Sequence, residues 1–511
     1  MVKKQIKTNQ TPLQAHRQNK KELNPPLLAN GLNITPSSWL NERLPEMLWA
    51  ALVIGNLERA EALKFFRYIA NFVERNQECW DITLTNIAQL PTEKRKLFLR
   101  HFASYSEDTK YILRSLLLLP ELPAIDDWRE ALPFPPIDDD WQTLMKGVAV
   151  TLWHQSQEAT DCRWIKIFCQ IVGGKLKFIR SSKGMIESFR GILEYPHYGD
   201  LRHISSFIRA GETAPNPLKE NKSSDWTIFF WKYCFENTSC YPEEDVTNKI
   251  QTRQNKLVVE IEDIEGHYIE EVISVRNKLI DHFFASAQTS AIDSRHEGAF
   301  GITLYSVSIF LEFILNQTSC SISARLGLRA LVETYITFEY LLKKEKEEPG
   351  VWDDYRSYGT GQIKLIFLKL QELKKTASSI EFDEMDLITN EDKWLEFVPI
   401  YLGHWDSTNL RKMAEEVKLK DIYDNFYNYT SGFMHGNWGA VRESVYQRCI
   451  NPLHRDHRIP IYDLPLMPSV TQDTLEITNK ILKCLAIAYP PFEGKISKIK
   501  RLKNQKEKPH E

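Results

Sequence analysis

The sequence predicts an all-α protein: a multi-helix bundle preceded by an N-terminal helical region. Apolar residues recur at intervals of three and four along most of the chain, which is the spacing of one buried helix face. Polar N-cap residues precede many of these segments, and Pro or Gly follows them. The 511 residues are 42% hydrophobic, which is enough to bury two or three cores.

The first helices are expected in an N-terminal helical region, residues 37–121. Ser38 is a suitable N-cap for the segment that starts with Trp39, because its hydroxyl can accept a backbone N–H bond. Two more amphipathic segments follow Pro91 and Ser106, and Pro120 ends the second of them. Residues 1–36 mix Lys, Gln, Asn and Pro without periodicity, so we expect a mobile basic arm there.

Residues 122–141 are rich in Pro and Asp and predict a long loop or a domain boundary. Asp138, Asp139 and Asp140 lie in this segment, where a solvated turn or a helix cap is a better explanation than a metal site. A middle helical region, 142–258, is interrupted by glycines and contains no phosphate-binding loop. We place a C-terminal helical bundle at 259–490 and a basic tail at 491–511.

Composition excludes several general modes of binding. A formal charge of -3 gives no overall field that attracts nucleic acid or membranes. We found no secretory h-region and no run of eighteen apolar residues, so we expect a cytoplasmic protein without a membrane partner. The eight cysteines are scattered without a CxxC pair, which predicts reduced core cysteines, no metal and no cofactor.

A stripe of charges marks the second of two long apolar helices in segment 299–345. Arg325, Arg329 and Glu333 recur every fourth residue and therefore share one helix face. Burial without partners costs several kcal/mol, on the order of 2–7 for a polar group, so partners are expected. The groups predicted to face this stripe are Tyr355, Tyr358, Ser431 and His435.

The segment "YTSGFMHGNW" places a histidine at the predicted end of a helix. Tyr427, Ser431 and His435 also recur every fourth residue, and Gly436 has the position of a C′ glycine. The helix dipole favours a cationic histidine in the last turn, where an arginine and a carboxylate nearby would position it or bind an anion. The alternative is a polar network that clamps two helices together.

These motifs resemble a bacterial family of unknown function, domain of unknown function fifty-six seventy-seven. The resemblance covers about residues 260–450 and lies in "RALVETYITFEYLL", "YRSYG", Trp405 and "YNYTSGFMHGNW". The opening "SSWLNERLPEMLWAAL" also resembles the N-terminal region of longer members. The resemblance implies an all-helical fold and supplies no established activity. The residues that match its pattern are Arg329, Glu333, Tyr355, Tyr358, Ser431 and His435.

A second motif, Arg276, Asn277 and His282, is similar to the signature of the HEPN ribonucleases (higher eukaryotes and prokaryotes nucleotide-binding). That resemblance implies metal-independent RNA cleavage, usually by Arg and His of two paired protomers, in which the 2′-hydroxyl attacks the phosphate. Arg276 and His282 are six residues apart, so on a regular helix their side chains point about 120° apart around the helix axis. A helix start or a dimer partner would have to bring them together. The alternative is a surface arginine and a capping histidine.

Two further groups of polar residues are less specific. Arg295, His296 and Glu297 precede the first long apolar helix. The segment "NPLHRDHRIP" contains His454 and His457, for which a basic, phosphate-facing loop is favoured over a metal site because no further ligand stands at helical spacing.

The sequence therefore gives two functional hypotheses. The first is a bacterial HEPN-like ribonuclease effector in stress response or phage defence, with RNA as substrate and a homodimer as the active form. In it His435 or His282 is the acid-base group, and Arg329 or Arg276 holds phosphate. The second is a non-enzymatic helical scaffold or sensor that binds a protein partner, in which Arg329, Glu333, Ser431 and His435 form a structural network.

Overall fold

The computed structural model of the protein is helical apart from two short antiparallel sheets, within the residues it describes. The all-α prediction is therefore confirmed. The described residues are 13–19, 22–24, 38–132, 134–176, 183–212, 225–241, 268–373, 377, 379–390, 398–402, 406, 408–461 and 467–497. Trp405 and most of the predicted basic arm and tail lie outside them.

The chain divides into two compact units. Unit 1 contains residues 1–241 and the loop 449–457, and unit 2 contains 242–448 and 458–511. The segment 122–141, proposed from its sequence as a loop or boundary, lies inside unit 1. There Asp140 accepts two hydrogen bonds from Arg114, at 2.8 and 3.0 Å, and one from the Ile137 amide at 2.8 Å.

Unit 1 is built around a core of aromatic side chains. Trp49 is fully buried and meets Phe102 edge to face, with ring centroids 4.8 Å apart. Ser38 is a helix N-cap, as predicted, because its Oγ accepts the Asn41 amide. The turn that it caps is a π-helix, Trp39–Arg43. The regular elements described in unit 1 are β1 (Arg17–Asn19), β2 (Glu22–Asn24), α1 (Leu48–Asn56), α2 (Arg59–Arg75), α3 (Leu84–Ala88), α4 (Thr92–Ala103), α5 (Glu107–Arg114), α6 (Ile125–Ala131), α7 (Asp140–Thr151), α8 (Gln157–Val172), α9 (Lys183–Leu193), α10 (Leu201–Gly211) and α11 (Asp225–Asn237).

A buried ion cluster joins several elements of unit 1. The Glu212 carboxylate is wholly buried and pairs with Arg43, with Lys166 at 3.0 Å and with Arg163 at 3.6 Å. The Arg163 guanidinium also lies 4.0 Å from the centroid of the Trp39 ring. Burial lowers the pKa of Arg163 to about 10, so this group stays charged at neutral pH.

Unit 2 packs its long helices around a second apolar core, which includes Phe310, Leu331 and Ile481. Ser321 caps one of them, because its Oγ accepts the Ala324 amide. The regular elements described in unit 2 are α12 (268–286), α13 (Ser294–Leu315), α14 (Ile322–Lys344), α15 (Val351–Gln371), α16 (Phe382–Thr389), α17 (Leu410–Glu416), α18 (Lys420–Ile422), α19 (Asn428–Met434), α20 (Trp438–Val445), β3 (Tyr446–Arg448), β4 (Arg458–Pro460) and α21 (Thr471–Ala488).

Helix α13 is long and apolar enough to cross a membrane by length and composition alone. Within unit 2 it packs against α21 and α14, and 56% of its most apolar window is buried. A core helix of this length can be equally apolar, because neighbouring helices cover its apolar faces, so it meets the same criteria of length and composition.

Candidate functional sites

The predicted charge stripe on α14 contains an ion pair that holds a tyrosine. Arg329 Nε donates to Glu333 Oε1 at 2.8 Å, and its Nη2 donates to the Tyr427 hydroxyl at 2.8 Å. The guanidinium carbon also lies 4.4 Å from the centroid of the Tyr427 ring, which stacks on Tyr423 with centroids 4.5 Å apart. Only 12% of the Arg329 side chain is exposed, against 40% for Glu333. The network therefore joins α14 to the π-helix Tyr423–Tyr427.

Arg325, the other arginine of the stripe, binds backbone. Its Nη1 donates to the carbonyls of Ser319 and Ser321, at 3.3 and 3.2 Å, and its Nη2 donates to the Pro468 carbonyl at 2.5 Å. The residue is 2% exposed. Arg325 thus satisfies carbonyl groups at the start of α14 and before α21, which is a structural role.

His435 lies apart from this network. Helix α19 ends at Met434, His435 is its C-cap, and Gly436 adopts φ +59°, so the predicted glycine stop is confirmed. The His435 side chain is exposed and makes no hydrogen bond to any residue that the structure describes. At about 1.5 Å per residue, His435 is roughly 12 Å along the helix axis from the Tyr427 that Arg329 holds. Arg329 and His435 therefore do not converge within one copy of the chain.

The remaining predicted partners of the stripe occupy different positions. Ser431 is half-buried one turn before His435, and its hydroxyl bonds to no described residue. Tyr355 and Tyr358 lie on α15, where Tyr355 packs against the unit 2 core. Burial, with a contribution from Tyr305, raises the pKa of Tyr355. The described Arg329 hydrogen bonds go to Glu333 and Tyr427, so the structure supplies Tyr427 where these residues were expected.

The HEPN-like residues lie on one regular helix, α12. His282 Nε2 is 2.8 Å from the Tyr489 carbonyl oxygen, which makes this nitrogen the donor, and the ring packs against Phe492 with centroids 5.4 Å apart. Arg276 is half-buried and Asn277 is exposed. Helix α12 continues without interruption from 268 to 286, so no helix start brings Arg276 and His282 together. Only a second protomer could complete this pair.

The group around Arg295 lines a surface cavity of about 690 Å³. Arg295 forms a two-bond ion pair with Glu345, at 2.7 and 3.0 Å, and Trp352 Nε1 donates to the same carboxylate at 2.7 Å. Burial alone would raise the pKa of Glu345, but the bonds from Arg295 and Trp352 outweigh it and lower that pKa. His296 is buried, and its Nε2 lies 2.9 Å from Ser286 Oγ. Sequence patterns alone did not indicate these partners.

Sequence reasoning weighed a metal site at His454 and His457 against a phosphate-facing loop. It missed the thiol and imidazole cluster that these histidines form with Cys240 and Cys449 in unit 1. Cys240 Sγ lies 3.4 Å from His454 Nδ1 and 3.3 Å from His457 Nε2, and Cys449 Sγ lies 3.5 Å from His454 Nδ1. The four ligand atoms are all within 4.8 Å of one another. Seven of the eight cysteines are buried and free as predicted, whereas Cys240 is exposed. The available signal was the pair of histidines close after Cys449, but Cys240 is too distant in the sequence to be associated with them.

Comparison with known proteins gives one partial match. No curated protein and no solved structure matches the chain. Residues 300–447 match the model of a family described only as a family of unknown function (DUF5677). The matched segment contains the Arg329 network and His435, but neither the HEPN-like residues of α12 nor the cluster around Cys449. The C-terminal helical region is thus similar to DUF5677, as the sequence motifs indicated.

Proposed function

We propose that unit 2 is a non-enzymatic helical scaffold or sensor, and that the Arg329, Glu333 and Tyr427 network fixes α14 against segment 423–434. The observation that carries this proposal is the engagement of Arg329. Its Nε and Nη2 donate to Glu333 and Tyr427, its face covers the Tyr427 ring, and its Nη1 is buried without a described acceptor. A guanidinium held in this way stabilises helix packing. It does not favour phosphate binding, since a phosphate would have to displace both partners to reach the guanidinium.

The surface that such a scaffold offers a protein partner lies around the end of α19. Met434 is 51% exposed and Trp438 is 63% exposed. Large exposed side chains of these types are enriched at protein interfaces. We infer a protein partner in the cytoplasm for this surface.

A metal-independent ribonuclease, acting as an effector in bacterial stress response or phage defence, is the second candidate. Exposed His435 favours it, together with Trp438 and Arg442, which are exposed and four residues apart on α20. An exposed indole can stack on a base, an arginine can bind phosphate, and a histidine can transfer protons near neutral pH. In this candidate Arg329 supports the fold rather than holding the phosphate.

Cleavage of a mixed RNA pool in excess chelator separates the two candidates. The variants are His435→Ala and His282→Ala, with exposed His197→Ala in unit 1 as the matched control. Thermal melting of every variant is measured in the same buffer. Chelator-resistant cleavage that is lost in His435→Ala, with an unchanged melting temperature, would establish the ribonuclease and overturn the scaffold.

The scaffold proposal gives the opposite pattern. We expect no chelator-resistant cleavage by the wild type and an unchanged melting temperature for His435→Ala, because His435 bonds to no described residue. Arg329→Ala should melt several degrees lower, since its loss leaves the hydroxyl of half-buried Tyr427 without its donor.

A further inference from the structure

Four side chains of unit 1 present metal ligands to one point. Cys240 follows α11, while Cys449, His454 and His457 belong to the loop 449–457. Two thiols and two imidazoles form a ligand set that zinc prefers. A zinc ion about 2.3 Å from sulfur and about 2.0 Å from nitrogen, at tetrahedral angles, holds sulfur and nitrogen about 3.5 Å apart. The three sulfur to nitrogen distances here are 3.4, 3.3 and 3.5 Å.

Hydrogen bonds outside the cluster determine which nitrogen of His454 faces the sulfurs. The Thr238 hydroxyl donates to the Cys234 carbonyl at 2.7 Å, so its oxygen is left to accept. His454 Nε2 lies 3.0 Å from this oxygen and therefore carries the proton. The lone pair of the neutral ring is then on Nδ1, between the sulfurs of Cys240 and Cys449. Metal-binding histidines are oriented by such a bond from the other ring nitrogen.

The loop that carries three of the ligands is fixed in position by its backbone. Asn451 Nδ2 donates to the Ser239 carbonyl at 2.8 Å, and the Ile450 amide donates to the Tyr241 carbonyl at 2.8 Å. These bonds hold the loop beside the segment that carries Cys240. Both ligand segments are thus positioned by contacts that do not involve the ligand atoms themselves.

Backbone strain is concentrated between the two histidines. Arg455 and Asp456 have φ values of +56° and +52°, which non-glycine residues rarely adopt. This pair of left-handed residues turns the chain so that His454 and His457 face the same point. Strained residues of this kind cluster at ligand clamps, where the surrounding structure maintains them.

We propose that Cys240, Cys449, His454 and His457 bind one Zn²⁺ ion at a structural site. All four tetrahedral positions are filled by protein atoms, as in structural rather than catalytic zinc sites. The ion links the end of α11 to the loop 449–457, two segments of unit 1 that are far apart in the sequence. Exposed Cys240 and half-buried His457 give the ion a route from solvent. This proposal is independent of the function of unit 2.

The test is the zinc content of the full-length chain after purification in reducing buffer. We expect one zinc per chain by mass spectrometry, and at least tenfold weaker zinc binding by Cys240→Ser and His457→Ala in competition with a chromogenic chelator. His197→Ala, which alters an exposed histidine of unit 1 outside the loop, should bind zinc like the wild type. Co²⁺ in place of zinc should give the visible bands of a tetrahedral site with thiolate ligands.

A second measurement uses only the wild-type chain and so does not depend on how the variants fold. After zinc is removed with a chelator, added Zn²⁺ should slow alkylation of exposed Cys240 at least tenfold. A chain that takes up no zinc and whose Cys240 reacts at the same rate with and without Zn²⁺ would overturn the proposal. A Cys240 to Cys449 disulfide in protein isolated without reductant, and without bound zinc, would also overturn it.

Discussion

The Tyr427 hydroxyl accepts the hydrogen bond that links the Arg329 ion pair to the segment before α19. Tyr427→Phe removes this hydrogen bond but keeps the ring under the guanidinium. We expect the free energy of unfolding to fall by about 1.5 kcal/mol, because a hydrogen bond to a charged group is lost at a partly buried site. Urea denaturation followed by circular dichroism measures this loss.

Tyr429→Phe is the matched control for that measurement. The Tyr429 hydroxyl donates to Glu443 at 2.6 Å, but both groups are exposed, so water can replace the bond. We expect a loss of about 0.5 kcal/mol or less. Equal losses in the two variants would contradict a structural role for the Arg329 network.

For single residues, the sequence predicted where charged side chains needed partners, but not which partners they have. The spacing of Arg329 and Glu333 correctly placed them on one face, as their direct bond shows. Periodicity could not distinguish Tyr427 from His435, because both share a face with Ser431. Only the packing of α14 against the segment 423–434 decides which of them meets Arg329.

The glycine that follows the C-cap of helix α19 has a conformation that other residues adopt only with strain. Gly436 has φ +59°, and a Cβ atom added there would meet no neighbour, so strain in the backbone is the main effect of a substitution. We expect Gly436→Ala to lower the free energy of unfolding by about 1 kcal/mol. Urea denaturation measures the change.

Gly439→Ala is the control for this element, because Gly439 lies within α20 and its added Cβ would also meet no neighbour. Alanine favours helix over glycine, so we expect no change or a gain of up to about 0.5 kcal/mol. A Gly436→Ala variant as stable as Gly439→Ala would show that the left-handed stop is not required.

Caps and stops were thus predictable from the sequence, because they depend on a few adjacent residues. Ser38 and Gly436 both act as expected. The π-helical turns Trp39–Arg43 and Tyr423–Tyr427 were not predicted, since a wider turn leaves no distinct apolar period over five residues.

The division of the whole chain depends on contacts between distant segments. The loop 449–457 belongs to unit 1 although unit 2 precedes and follows it in the sequence. Composition predicted a loop or a boundary at residues 122–141, and Asp140 of this segment is bound by Arg114 within unit 1. Local patterns cannot report such pairings, and the ligand cluster of Cys240 was missed for the same reason.

Each unit contains a carboxylate that should make the stability of the whole chain sensitive to acid. Burial alone would raise the pKa of Glu212, but Lys166, Arg43 and Arg163 outweigh burial and hold it below the ordinary value of 4.5. The pKa of Glu345 is lowered in the same direction by Arg295 and Trp352. A carboxyl group whose pKa is lower in the folded chain than in the unfolded chain stabilises the folded chain at any pH above its unfolded pKa. This stability is lost as the pH falls through the folded pKa. We therefore expect stability to decline below about pH 4.5.

Glu212→Gln and Glu345→Gln test this origin of acid sensitivity. At pH 7 Glu212→Gln should lose about 3 to 5 kcal/mol of unfolding free energy, because three cations lose their buried partner. Glu345→Gln should lose less, since its ion pair is partly exposed. Both variants should then show a shallower decline below pH 4.5 than exposed Glu312→Gln, measured by urea denaturation at each pH. If the free energy of unfolding of Glu212→Gln falls as steeply below pH 4.5 as that of Glu312→Gln, other carboxylates determine acid unfolding.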